Sequence, residues 1–277
     1  MLSVIYNVRF PYMGLHFYIS PVAFKIGNTS IYWYGMIVCL AFILAFVYVY
    51  KNSYRFSLNK ENMVDVFLAS VVFGIIGARL YYVLFFPGDT YVKDPIKIFY
   101  INQGGLAIYG GLILGLIAGL VTAKIKKLNV PAVLDISSIA VLLGQAIGRW
   151  GNFFNQEAFG TEANYFLGMA SQATGGVPVH PCFFYESLWC LLGFILLHIF
   201  SKNNRKYNGQ VFLMYVAWYG IERFIVETLR TDSLMIPYLN VRVSMVVAAV
   251  SAIIAIILLI VFRNRDNIKS DTNPSAD

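Results

Sequence analysis

Seven stretches of this 277-residue chain, at roughly 32–50, 63–86, 106–123, 132–148, 183–200, 210–226 and 242–262, are apolar over close to the length of a bilayer-crossing helix. Such a helix needs about 20 predominantly apolar residues. With 58% hydrophobic and only 13% charged residues, and a mean hydropathy of +0.66, the chain has too little polar surface to cover a soluble globule of its size. The expected fold class is an all-α polytopic membrane protein with seven transmembrane helices.

The net charge of +7 would suggest nucleic acid in a soluble protein, but its placement argues otherwise. Lys51, Arg55 and Lys60 follow the first segment, and Lys124, Lys126 and Lys127 follow the third. Lys202, Arg205 and Lys206 follow the fifth, and Arg263, Arg265 and Lys269 the seventh, so that twelve of the 21 basic residues occupy four alternate connections. The positive-inside rule makes these connections cytoplasmic. The amino terminus is then outside and the carboxyl terminus inside, which is the parity that seven crossings demand. No nucleic-acid partner is expected.

The organisation expected from this is a single transmembrane domain over 1–262, with an external arm at 1–31, an external loop at 149–182 and a short cytoplasmic tail at 263–277. The arm has no long apolar core or cleavage site of a removable signal peptide. Its Phe10, Tyr12, Phe17, Tyr18 and Phe24, broken by Pro11 and Pro21, suit a segment lying along the outer interface. Cys39, Cys182 and Cys190 have no metal spacing, and His16, His180 and His198 are dispersed, so no metal site is expected.

The informative residues are polar ones gathered by this topology at the outer face. Arg149 and Asn152 begin the 149–182 loop within GRWGNFFNQEAFG; Arg223 and Glu227, four apart, share a helical face at the outer end of the sixth segment. Tyr34 opens the first helix, and GGLAIYGG at 104–111 opens the third. An arginine at a helix centre costs about 2.5–3.5 kcal/mol on insertion scales, so such groups need partners or a task. Two guanidiniums offer permanently charged planar forks suited to a phosphodiester. Gly110 and Gly111 beside Tyr109 leave room for a head group, Asn152 and Asn155 supply uncharged donors and acceptors, and Glu157 and Glu227 hold arginines or handle protons.

Each of these has a structural alternative. Arg223 with Glu227 is also an ordinary helix-anchoring ion pair. Arg79, in GARLYY within the second segment, is either functional or a side chain that snorkels or pairs with a backbone carbonyl. The glycine pairs also serve helix packing, and Trp33 and Tyr34 also suit an interfacial aromatic belt.

The run Gly148 to Gly160 resembles the signature GRxGNFxNxExxG of bacterial phosphatidylglycerol–prolipoprotein diacylglyceryl transferases, matching all eight fixed positions. WYG at 33–35, GAR at 77–79, GGLAIYGG at 104–111, HPxxxYE at 180–186 and RFIVExxR at 223–230 extend the resemblance along most of the chain. The resemblance implies an enzyme of the bacterial cytoplasmic (inner) membrane with its active site towards the outer face and no cofactor. Its partners would be phosphatidylglycerol and the signal-peptide region of a prolipoprotein. The diacylglyceryl group would pass to the thiol of the lipobox cysteine, forming a thioether and releasing glycerol 1-phosphate.

On that basis the catalytic candidates are Arg149, Asn152, Arg223, Glu227, Tyr34 and Tyr109. The substrate-binding candidates are Arg149, Glu157, Asn155, Gly160 and Gly110. Arg149 would bind the phosphate and Arg223 the head group or leaving-group charge. Asn152 and Tyr34 would orient the glycerol, Glu157 and Glu227 would position the arginines, and Gly160 would serve the turn that returns the chain. One position departs from the family: Tyr109 stands where many members carry the histidine of FHGG, the candidate base for the thiol proton. A phenol, with an ordinary pKa of about 10, is a poor base at neutral pH. Either Tyr109 orients substrate, or deprotonation falls to Glu227, the phosphate or water.

Two rival classes are weaker. A transporter of a small anionic solute would show paired discontinuous helices or an inverted repeat, which are not evident. Ser137, Ser138 and Ser187 lack the GxSxG context and histidine partner of a serine protease.

Overall fold

The computed structural model describes residues 5–27, 29–100, 104–231 and 242–264. Arg265, Lys269 and the rest of the expected tail lie outside the described residues. Seven described helices of 18 or more residues coincide with the seven apolar segments: α1 (Trp33–Asn52), α2 (Lys60–Leu84), α4 (Ile108–Ile125), α5 (Val130–Asn155), α6 (Cys182–Asn203), α7 (Gln210–Leu229) and α8 (Val243–Val261). A four-residue helix, α3 (Thr90–Lys93), lies between α2 and α4. Six of the seven are long and apolar enough to cross a membrane. The remaining one, α7, carries Glu222, Arg223 and Glu227 among its apolar residues.

Local chemistry fixes the helix ends. Asn59 caps α2, its side chain accepting from the Asn62 amide at 2.9 Å, and Asn129 accepts from the Ala132 amide at 3.1 Å ahead of α5. The start of α7 is capped from a distance: buried Asp135 of α5 accepts from the amides of Gly209 and Phe212, both at 2.8 Å, with Arg205 Nη1 3.6 Å away. The carboxylate thereby satisfies donors that a helix leaves without intrahelical partners and sits at the positive end of its dipole.

The chain divides into two compact units, residues 1–47 with 135–277, and residues 48–134. In the second, α2 packs on α4 through glycines. A Cβ on Gly77 would strike the Gly110 carbonyl and Leu114, and one on Gly110 would strike the Gly77 carbonyl and Tyr81. Backbones approach this closely only without side chains, a common means of helix association where burial of apolar surface gives little drive. Arg79, buried in α2, donates to the carbonyls of Lys97 at 2.6 Å, Ile98 at 2.8 Å, and Gly104 and Gly105 at 2.9 Å each. Its charge is thus spent on turning the α2–α4 connection, the carbonyl-pairing alternative for this residue.

In the first unit, α7 packs on α8 by the same device, Gly220 facing Ala248 and Ala252. Small residues point inward on α8 while Val247, Ile253, Ile257 and Val261 are exposed, the inside-out pattern of a helix facing lipid.

The amino-terminal arm carries structure that hydropathy alone does not indicate. β1 (Tyr6–Phe10) pairs antiparallel with β2 (Leu15–Ile19), and β3 (Val22–Ile26) with β4 (Thr29–Tyr32). Gly14, at φ +66°, closes the first hairpin in a conformation that favours glycine. Val8 on β1 packs with Met169 and Phe183, and Arg9 exchanges two 2.8 Å backbone hydrogen bonds with Ala170. The arm is therefore stitched to the segment that follows α5.

Candidate active site

Three helix ends in the first unit bring the charged residues together. α5 does not stop at Gly148 but continues to Asn155, so Arg149 and Asn152 lie on its last two turns rather than in the expected 149–182 loop. Gly151 is tolerated there because the Tyr34 ring occupies the space a side chain would take, with Tyr34 Cδ2 2.5 Å from an ideal Cβ, while Trp33 stacks on Phe154 at 5.1 Å. The first turns of α6 present Glu186, and the last turns of α7 present Arg223 and Glu227.

The centre of the cluster is Glu186. Its Oε1 lies 2.9 Å from Arg149 Nη2 and 3.3 Å from Arg223 Nη1. Arg223 Nη2 in turn lies 2.6 Å from Glu227 Oε2. The Glu186 side chain is 1% exposed, whereas those of Arg149 and Arg223 are 20% and 21% exposed. A buried carboxylate thus holds two guanidiniums side by side, each still partly open to an incoming group. Charge-assisted contacts of this kind are strong, and two adjacent forks make a receptor for a doubly coordinated oxyanion.

Several expected site residues are placed differently. Glu157 is exposed and accepts from the Asn155 amide nitrogen at 3.2 Å; the carboxylate paired with Arg149 is Glu186. The return of the chain is made by Gln156 and Ala158, with φ of +51° and +55°. Gly160 instead supplies close packing, since a Cβ would lie 2.8 Å from His180 Cβ, 2.9 Å from the Leu229 carbonyl and 3.0 Å from Cys182 Sγ. Its amide donates to His180 at 2.9 Å, fastening the segment after α5 to the entry of α6. Gly110 is buried against Gly77, so that side offers no room for a head group. Tyr109, on the first turn of α4 in the second unit, is 65% exposed.

His180 lies outside the helices. Its Nδ1 is 3.2 Å from the Tyr185 hydroxyl and 3.5 Å from that of Tyr165. Partial burial holds the imidazole below the usual histidine range and the Tyr165 phenol above its own.

The family model described as Prolipoprotein diacylglyceryl transferase matches residues 21–261. The chain belongs to that family. It is 41% identical over 252 residues to the phosphatidylglycerol–prolipoprotein diacylglyceryl transferase of Staphylococcus haemolyticus (strain JCSC1435), covering 88% of each chain. It is 40% identical over 267 residues to the enzyme of the same name from Staphylococcus aureus (strain MSSA476), covering 92% of this chain and 94% of the relative.

Within this member of the diacylglyceryl transferase family, Glu186, the last residue of HPxxxYE, is the carboxylate that joins the two arginines. The signal was present: Glu186 and Glu222 are carboxylates inside apolar segments, and an ionisable group there is a candidate for function with a partner to be found. Glu222 adjoins Arg223 on α7 and is 2% exposed, with Oε2 3.6 Å from Cys190 Sγ.

Proposed function

We propose that this chain transfers the diacylglyceryl group of phosphatidylglycerol to the lipobox cysteine thiol of prolipoproteins, the first step of lipoprotein maturation. The observation that carries this reading at the site is the pair of guanidiniums, Arg149 and Arg223, held on one oxygen of Glu186. Sulfur forms a bond to the glycerol carbon, the carbon–oxygen bond to phosphate breaks, and glycerol 1-phosphate leaves with the electron pair. The thiol proton passes to the phosphate or to water. The thiolate is the competent nucleophile. The arginines then act by stabilising charge that grows on the departing phosphate, the class of interaction that contributes most in many enzymes.

In this reading Arg149 holds the phosphate, Arg223 meets leaving-group charge, and Glu186 and Glu227 position them. Asn152 and Tyr34 orient the glycerol, and Asn155 with Glu157 binds substrate. Residues 1–262 form a single transmembrane domain with an external arm (1–31) and an external loop (149–182), and residues 263–277 form a short cytoplasmic tail. α7 is the seventh span, its three charged residues accounted for by the site. The alternation of basic connections supports an external amino terminus, a place in the bacterial cytoplasmic membrane and a site towards its outer face.

The test is incubation of the purified chain with phosphatidylglycerol and a lipobox peptide. Lipidated peptide and glycerol phosphate are the expected products. Arg149→Ala should abolish transfer while leaving the protein inserted; full activity of that variant would sink the assignment.

A further inference from the structure

We propose that Glu222, with the second carboxylate oxygen of Glu186, forms a hydroxyl-binding subsite beside the arginine pair that recognises the glycerol head group of the lipid donor. The inference rests on the transferase reading above and goes beyond it by assigning a further head-group contact, at Glu222.

Each of the three helices that build the arginine cluster carries a second polar residue one turn farther from the same end. Below Arg149 on α5 is Gln145, below Glu186 on α6 is Cys190, and below Arg223 on α7 is Tyr219, with Glu222 beside it. These residues form a connected layer. Cys190 Sγ lies 3.6 Å from Glu222 Oε2 and 3.9 Å from Gln145 Oε1, and Gln145 hydrogen-bonds Tyr215.

Two acceptors in this region lack partners. Glu222 Oε1 and Glu186 Oε2 are buried without a hydrogen-bond partner among the described residues. Glu222 also has no cation within ion-pair distance among them, its one polar contact being the Cys190 thiol. Buried acceptors are normally satisfied, so two neighbouring exceptions point to a donor supplied from outside the chain. Glu186 Oε2 shares its carbon with the oxygen that touches both arginines, and therefore borders any anion seated on them.

The chemistry of the missing donor follows. It must donate hydrogen bonds, adjoin an anion, and extend from the arginines towards Cys190, which touches Glu222 and lies one turn of α6, about 5.4 Å, beyond Glu186. A three-carbon diol on a phosphodiester does all three. An ammonium head group would bring a cation beside two guanidiniums, and a bare phosphomonoester would not reach.

The experiment compares kcat/KM for phosphatidylglycerol and for phosphatidyl-n-propanol, which lacks the head-group hydroxyls, using the full-length protein and a lipobox peptide. Wild type should prefer phosphatidylglycerol by about tenfold or more, since sites built around a substrate hydroxyl discriminate against analogues lacking it. Glu222→Leu should bring the ratio near unity by lowering the phosphatidylglycerol rate while leaving the propanol lipid rate unchanged. Glu222→Gln, which keeps hydrogen-bonding groups at the same volume, should retain part of the preference. A tenfold preference that persists in Glu222→Leu, or a wild type that uses both lipids equally, overturns the subsite. If Glu222→Leu fails with both lipids, the ratio is read from Glu222→Gln, where a preference equal to wild type overturns it equally. A wild type that transfers from neither lipid overturns the transferase reading and the subsite together.

Discussion

Arg149 Nη2 and Glu186 Oε1 stand 2.9 Å apart across α5 and α6, and the same oxygen reaches Arg223 of α7. One buried carboxylate therefore sets the spacing of both guanidiniums. Glu186→Gln keeps the volume but removes the shared counter-ion, leaving Arg149 without its ion-pair partner and Arg223 with Glu227 alone, a costly arrangement where solvent is scarce. Transfer should fall about a hundredfold in kcat/KM, roughly 2.7 kcal/mol of transition-state stabilisation. Initial rates on purified, correctly inserted protein measure it. Wild-type rates would remove Glu186 from the positioning role.

The sequence exposed the helices because each must be apolar for about 20 residues, a signal that needs no tertiary knowledge. It exposed Arg149 and Arg223 because a charge in such a setting is expensive. Their shared counter-ion was harder to find. Glu186 is 37 positions from both arginines, and nothing in local spacing says that α5, α6 and α7 converge on it. The packing at Gly110 and Gly160 was hidden for a related reason: a glycine reads the same whether the neighbour filling its space is a ligand or, as here, other parts of the chain. The hairpins of the arm leave little trace in the sequence because their strands are short and their stabilising contacts, Val8 with Met169 and Phe183, are distant in sequence.

If Gly110 is a packing residue, its replacement should act on stability before activity. Gly110→Ala places a methyl against the Gly77 carbonyl and Tyr81 Cβ. Overpacking of this sort costs about 1–3 kcal/mol. The detergent-solubilised variant should melt several degrees below wild type, while the protein that remains folded transfers at a normal rate. An unchanged melting temperature with lost transfer would instead mark Gly110 as a substrate contact.

His180 gives a pH signature outside the helices. Its folded-state pKa is lowered by burial, so the folded segment favours the neutral ring and binds fewer protons than the unfolded chain. The stability this contributes is complete above about pH 6.5, the ordinary histidine value, and is lost as pH falls through the lower folded pKa. The amides of Gly160 and His180, which donate to the carbonyls of His180 and Thr161, should exchange faster below that pH. Replacing His180 by Asn should flatten the dependence, after correction for intrinsic exchange. An equal pH dependence in the variant would assign it to another group.

Tyr109 stands where the resemblance to the family implies a histidine, and its surroundings argue against a proton-accepting hydroxyl. The side chain is 65% exposed on the first turn of α4. Among the described residues no hydrogen bond or ion pair holds its hydroxyl, whereas a phenol recruited as a base needs a neighbouring cation or donor to stabilise the phenolate. Tyr109→Phe should therefore keep transfer within about threefold of wild type at neutral pH, roughly 0.65 kcal/mol. Single-turnover rates with a lipobox peptide separate the chemical step from product release. A loss of about a hundredfold or more in that step would return the hydroxyl to the proton path, and would require the Tyr109 environment to change when lipid and peptide are bound.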